Sequence, residues 1–470
     1  MLAFHRVEVK EQLAASRAVR LEELASQESF GLVVSQLEAR VDSLRLAADQ
    51  LVGLGAAHCQ SVVKKRLAND LRELNEVLLA KGEVATSLTP TFASVLPVLE
   101  AILHFGTAET GLVGSCLSIL ETITYQLASS SITDQILGAC LRYIGLLVET
   151  ANPAVCVAYA VNFSNILGNS LMSHEELAEI DLGLLTRYLS WLLNLMRLKK
   201  SADFARNSIW LLRALILRFS KHNPRNIGSS GAICQQFEHF LQHEFSLAEA
   251  CSLGLDYYCQ KPVDHQSLLV EVLWTLAFSA KHSPLNQSIF DRQLFCKLTE
   301  LVLGNDTAYA KENMMLPYLS YLGCLVATRQ SQGMLQMVGG DNMKIFNQLT
   351  AILQLNSISK ATTREAMYVV CCYMGSGVNF QLAEITVMAL SRLRDITEDA
   401  YFDKEMFFIH LTFLKLCLAD GRVDGETFAY AKQVARQKLA RAVLSSEEMS
   451  ETNTAFDVVL KYLRSKEGLI

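Results

Sequence analysis

Ser208-Ile-Trp-Leu-Leu-Arg-Ala-Leu-Ile-Leu-Arg218 and Leu269-Val-Glu-Val-Leu-Trp-Thr-Leu-Ala-Phe-Ser279 decide the fold. Each is a Trp-centred apolar run of helical character. Each leads into a basic, Pro-bearing connection, Ser220-Lys-His-Asn-Pro224 in the first case and Ala280-Lys-His-Ser-Pro284 in the second. The same phrase twice in one chain marks an internal repeat, and a repeat changes the fold class that must be considered.

The pattern extends in both directions. From Leu96 onward an apolar helix such as Leu96-Pro-Val-Leu-Glu-Ala-Ile-Leu103 is followed by a turn. A more uniformly apolar helix then follows, such as Gly114-Ser-Cys-Leu-Ser-Ile-Leu-Glu-Thr-Ile123. A helix apolar on every side must be covered on every side, which is the environment of an inner helix in a stack. No sustained period-two alternation and no Asn-Gly hairpin signal a strand. The reading is all-α: a solenoid of stacked helical repeats. Such a fold grows by addition, so 470 residues need no single large core.

Composition narrows the function. Lys and Arg total 42 against 48 Asp and Glu, so a general nucleic-acid binder with a basic stripe is not expected. No apolar run reaches the roughly 18–20 residues of a membrane span. Met1-Leu-Ala-Phe-His-Arg6 is not followed by a signal-peptide apolar region, and an intracellular protein is expected. The cysteines sit mostly inside apolar helical runs with no CxxC spacing, which reads as reduced core thiols rather than zinc ligands.

Three segments are expected. Residues 1–28 form a helix with little apolar face and should pack little against the rest. Residues 29–445 carry the repeats, with an insertion near 223–248 whose flexible part is Gly228-Ser-Ser-Gly231. Residues 446–470 form a closing helix and tail. Thr89-Pro90 reads as a helix start, with Thr89 at the cap and Pro90 in the first turn.

At several places the residues resemble the importin-alpha family, the armadillo-repeat adaptors of nuclear import. Ala160-Val-Asn-Phe-Ser-Asn-Ile-Leu-Gly-Asn-Ser170 resembles the family's Ala-Val-Trp-Ala-Leu-Gly-Asn-Ile-Ala-Gly-Asp. Leu273-Trp-Thr-Leu-Ala-Phe-Ser279 resembles its Cys-Trp-Ala-Ile-Ser-Tyr-Leu. Arg364-Glu-Ala-Met-Tyr368 and Lys404-Glu-Met-Phe-Phe408 resemble its Lys-Glu-Ala-x-Trp. Ala455-Phe-Asp-Val-Val-Leu-Lys-Tyr-Leu463 resembles its closing helix. The likeness runs from about Leu96 to Arg464 and rests on the order and spacing of these landmarks.

The resemblance implies a protein partner: cargo bearing a basic nuclear-localisation signal, and importin-beta as carrier. It implies a right-handed armadillo/HEAT-type superhelical solenoid, residence in cytoplasm and nucleus, and no cofactor. Indole slots would grip Lys and Arg stems, Asn side chains would clamp the peptide backbone, and acids would receive the cationic heads. Carried over by position, the Trp places fall on Thr122, Val161, Trp210, Trp274, Ser320, Tyr368 and Phe408. The Asn places fall on Gln126, Asn165, Ala214, Phe278, Cys324, Cys372 and Thr412. The expected peptide site is therefore Trp210, Trp274, Asn165, Glu271, Phe278, Tyr368 and Phe408. Trp210 and Trp274 should expose their indoles on one side, with Asn165 pointing to that side. The expected carrier site is Lys10, Arg17 and Arg20, offset by Glu8, Glu11, Glu22 and Glu23. No repeat retains both Trp and Asn, so an alternative stands beside the adaptor: an armadillo scaffold that has lost basic-signal recognition.

The same residues also have plainer readings. Trp210 and Trp274 suit the core of a helical stack as well as a groove. Asn165, in an apolar helix, needs a partner; a bound peptide or a neighbouring helix end would each supply one. His239 and His243 share a helix face, but no third ligand accompanies them and no metal is expected. Cys371-Cys372 reads as a pair of thiols in an apolar helix. No phosphate-cradling Gly loop and no Ser/His/Asp order is present, so an enzyme is not expected.

Overall fold

The computed structural model describes residues 110–126, 162–169, 181–198, 201–220, 231–262, 265–282, 290–303, 312–327 and 359–375. It also describes 67–74, 349–353 and isolated positions between 42 and 429. Among the described residues there is helix and no strand. The chain divides into two compact units, Met1–Asn286 and Gln287–Ile470.

In the first unit we number the helices α1 (Thr110–Gln126), α2 (Leu182–Leu198), α3 (Ala202–Arg218), α4 (Gly231–His243), α5 (Leu247–Gln260) and α6 (Gln266–His282). Three of these starts, those of α2, α3 and α5, have one chemical cause. Asp181 Oδ1 accepts from the Leu184 amide at 3.0 Å, Ser201 Oγ from Phe204 at 3.4 Å and Ser246 Oγ from Glu249 at 3.2 Å. Each satisfies an amide that the helix itself leaves without a partner. Asp203 in the first turn of α3 and Arg218 in its last turn complement the helix dipole.

The helices of this unit stack in rows. α3 and α6 lie side by side, with the Thr275 hydroxyl 3.3 Å from the Ile209 carbonyl. α5 packs against both. Its Gly254 sits so close to Ile209 of α3 and Val272 of α6 that an added Cβ would meet them at 2.6 and 3.0 Å. α2 backs α3 and α5 in turn. The Tyr257 hydroxyl of α5 donates to the Met196 carbonyl of α2, and Arg197 forms a two-pronged ion pair with Glu249 at 2.6 and 2.7 Å. Beside α3 in space lies the helical segment 162–169, and beside that segment lies α1. Gly168 touches Trp210, and Asn162 and Asn165 reach Glu121.

α6 shows why the repeated phrase decided the fold. Leu268, Leu269 and every residue from Val272 to Ala280 are buried, as a helix without a polar face requires. α2 and α4 instead bury one side: Leu185, Leu189, Leu192 and Met196 in α2, Cys234, Phe237, Phe240 and Leu241 in α4. The expected insertion near 223–248 contains α4. Phe237 packs on Phe219 with ring centroids 4.7 Å apart, so the extra length between the two Trp helices is largely a third packed helix.

The second unit contains α7 (Arg292–Leu303), α8 (Glu312–Ala327) and α9 (Lys360–Gly375). Asp291 Oδ1 caps α7 through the Leu294 amide at 2.7 Å, and Ser359 Oγ caps α9 through Thr362 at 3.3 Å. Thr299 and Tyr318 share a buried hydrogen bond of 2.9 Å between α7 and α8. α8 carries Pro317 in its interior, which removes the amide that would bond to the Asn313 carbonyl. α8 and α9 meet at Gly323, where an added Cβ would lie 2.8 Å from the Tyr368 ring.

These rows of stacked helices are an α-solenoid type of construction. The segments 1–28 and 446–470, and Thr89-Pro90, lie outside the described residues.

Candidate peptide-binding face

The expected site residues of the first unit lie on the row formed by α1, segment 162–169, α3 and α6. Asn165 is half-buried, and its side chain neither caps a helix nor stands open. Its Nδ2 donates to Glu121 Oε1 at 2.8 Å, and Nδ2 of Asn162 donates to Oε2 of the same carboxylate at 2.8 Å. The helix end expected as the plainer partner of Asn165 is replaced by a carboxylate 44 residues earlier. The physical reason is that one carboxylate has acceptor sites for two amides. Residues 162 and 165, three apart on a helix, present both to it.

Trp210 is half-buried. Its six-membered ring lies directly over Gly168, where two ring carbons stand 2.4 Å from a built Cβ. Only a residue without a side chain lets the indole settle there. Trp274 departs from the expected open slot. It is 5 % exposed and stacks on Phe278, which is 2 % exposed, with ring centroids 5.2 Å apart. The cause is the apolar circumference of α6, which α3 and α5 cover. The expected pair of exposed indoles is therefore not formed: Trp274 and Phe278 are core aromatics, and Trp210 alone keeps a surface.

Glu271 is also engaged. Its Oε2 lies 3.1 Å from Arg213 Nη2, and its Oε1 accepts from the same nitrogen at 3.5 Å. Burial raises its carboxyl above the ordinary carboxylate range, while Arg213 and then Arg206 pull it down. Arg206 reaches Ser267 Oγ on α6 at 3.4 Å. The α3–α6 edge is thus a short polar ladder, Arg206 to Ser267 and Arg213 to Glu271.

Tyr368 belongs to the second unit, half-buried on α9 against Gly323. Phe408, Lys10, Arg17 and Arg20 lie outside the described residues. The sequence reading missed Glu121, Asn162, Gly168, Arg206 and Arg213. A visible signal existed for one group: Asn162, Asn165 and Asn169 recur at helical spacing. His239 and His243 lie on the exposed side of α4 with ring centroids 4.5 Å apart, and His239 Nδ1 is 3.9 Å from Glu244. Among the described residues no group of three or more His, Cys, Asp or Glu is placed to hold a metal. None of their helices is long and apolar enough to cross a membrane.

No family model matches the sequence, and no curated protein matches it. Among solved structures, one similar chain is a circular tandem repeat protein with a novel repeat topology and enhanced subunit contact surfaces. It is 11 % identical, with a TM-score of 0.32 over 92 % of this chain and 96 % of that one. Another is importin beta crystallised in an ammonium sulfate condition, 11 % identical, with a TM-score of 0.34 over 91 % of this chain and 66 % of that one. Likenesses of that size assign no family, and the fold description rests on the packing given above.

Proposed function

We propose that the chain is a protein-interaction scaffold on a helical-repeat stack, binding rather than catalytic, and that basic-signal recognition is not its main activity. The observation that carries this reading is the engagement of the would-be groove residues inside the stack. Asn165 is held by Glu121, Glu271 is paired with Arg213, and Trp274 is covered. A peptide would have to displace these bonds, and each buried group left behind would cost about 1–3 kcal/mol.

The narrower reading is an importin-alpha-like adaptor for basic nuclear-localisation signals, working between cytoplasm and nucleus with importin-beta. It draws on the sequence resemblance and on half-buried Trp210. One titration separates the two. A fluorescent Lys-rich signal peptide is titrated against the full chain and against Trp210→Ala. The scaffold reading expects no saturable binding to either below about 100 μM. Micromolar binding that weakens about tenfold in Trp210→Ala would establish the adaptor reading instead; one such slot is worth roughly 0.5–2 kcal/mol.

A further inference from the structure

On the exposed side of α4 two imidazoles stand one turn apart. The rings of His239 and His243 have their centroids 4.5 Å apart and their planes inclined at 52°. Residues four apart lie on one face of a helix. The opposite face of α4 is anchored. Cys234, Phe237, Phe240 and Leu241 are buried, Phe237 rests on Phe219 with centroids 4.7 Å apart, and Phe240 on Phe245 with centroids 5.6 Å apart. The Glu244 amide donates to the Phe240 carbonyl at 2.9 Å, so the helical turn is complete through His243. The two rings are carried on a fixed backbone, and both are exposed to solvent.

Their separation is the one a shared cation requires. An imidazole nitrogen binds a first-row divalent cation at about 2.0–2.1 Å, which puts the cation about 3.2 Å from the ring centre. Two rings at right angles around it then have centres about 4.5 Å apart, and two at the tetrahedral angle about 5.2 Å. The spacing in α4 fits the right angle, which belongs to tetragonal Cu(II) and Ni(II) sites rather than to tetrahedral zinc. Nδ1 of His239 faces Oε1 of Glu244 at 3.9 Å. That leaves Nε2 for a cation, with a carboxylate in the place from which such groups orient a ligating ring and raise its basicity.

We propose that His239 and His243 form a two-nitrogen chelate for tetragonal divalent cations, Cu(II) and Ni(II), across the last turn of α4. Among the described residues no group of three or more His, Cys, Asp or Glu is assembled to hold a metal, so water fills the remaining coordination positions. The chelate needs residues 239 and 243 in their helical places. A cation bound there therefore favours the folded chain over the unfolded one. This site is separate from the row of α1, segment 162–169, α3 and α6, and does not depend on what that row binds.

The test is calorimetric titration of the reduced full-length chain with Ni(II) at pH 8, nickel being chosen because it leaves thiols unoxidised. The chain has 10 histidines, so the variants rather than total uptake carry the result. The wild type should show one saturable site of micromolar affinity above a weaker background. His239→Ala and His243→Ala change exposed positions, and circular dichroism should find their helices intact. Each should weaken the site about a hundredfold, because a lone imidazole lacks the second, intramolecular bond. Gln235 is exposed and lies four residues before His239. Gln235→His in the His243→Ala background should therefore restore the site one turn earlier. Saturating Ni(II) should raise the urea midpoint of the wild type and leave that of either single variant unchanged. Equal affinity in the wild type and either single variant would overturn the proposal. So would a wild type that takes up nickel in the weak background alone.

Discussion

At the scale of single residues, close packing decides more than chemical type. Gly168 is the clearest instance, since its missing side chain is the floor on which Trp210 rests. Gly168→Ala has two opposed effects. Alanine gains about 1 kcal/mol of helix propensity. The new methyl group meets two rigid ring carbons at 2.4 Å, and overpacking of that kind costs about 1–3 kcal/mol. A ring cannot bend aside as a leucine end can, so the clash wins, and urea unfolding should show a net loss of about 1 kcal/mol. In a Trp210→Ala background the same change should become stabilising; a loss of equal size there would show that the indole is not the obstacle. Ser279 presents the reverse case. It is fully buried and its hydroxyl has no hydrogen-bond partner, so Ser279→Ala should stabilise by about 1 kcal/mol. Unchanged or lower stability would mean that an ordered water satisfies the hydroxyl. The apolar character of these positions could be read from the sequence, since Trp210, Trp274 and Phe278 stand in plainly apolar runs. Their exposure could not, because it depends on which neighbour covers each helix face.

At the scale of elements, the helices were legible and their cross-links were not. The uniform apolarity of α6 marks it as an inner helix from the sequence alone. The caps at Asp181, Ser201, Ser246, Asp291 and Ser359 use residues the rules favour, yet Thr89 was the start that sequence reading singled out. Ser246-Leu-Ala-Glu249 has the form of a capping box, but the Glu249 carboxylate is taken by Arg197 of α2. That pair spans 52 residues, Arg213–Glu271 spans 58, and Glu121–Asn162 spans 41. Pairings at such range depend on the rotational phase of two helices that the sequence specifies only loosely. The two acids respond to pH with opposite signs. The Arg197 hydrogen bond holds Glu249 below its ordinary value, so its contribution is present above the unfolded pKa and lost as pH falls through the folded one. Glu271 is held above its ordinary value by burial. Its contribution is present below the unfolded pKa, about 4.3, and is lost as pH rises through the folded one. Relative to Glu271→Gln, the wild type should therefore gain stability as pH is lowered from 8 to 5. Urea midpoints for both proteins at the two pH values measure this, and an advantage that grows toward pH 8 would contradict it.

At the scale of the whole molecule, stacked repeats carry a distinct thermodynamic expectation. Each helix layer is stabilised by its neighbours, so a local defect should weaken its own surroundings and fade with distance along the stack. The sequence provides a natural reporter for this. All three tryptophans, Trp191, Trp210 and Trp274, fall in the unit that ends at Asn286, whereas helix in both units contributes to circular dichroism. Gly323 lies in the other unit, where an added Cβ would stand 2.8 Å from the Tyr368 ring. A valine there adds a β-branched side chain where even one methyl group is crowded, and about 1–3 kcal/mol should be lost locally. In urea, Gly323→Val should leave the tryptophan-fluorescence midpoint within error of wild type. The circular-dichroism curve should broaden or split, with its earlier part moved to lower urea. Gly168→Ala should do the opposite, lowering the fluorescence midpoint and leaving the later part of the dichroism curve in place. If Gly323→Val moved both probes together by the same amount, the two units would unfold as one cooperative body, and nearest-neighbour stacking would not describe this chain.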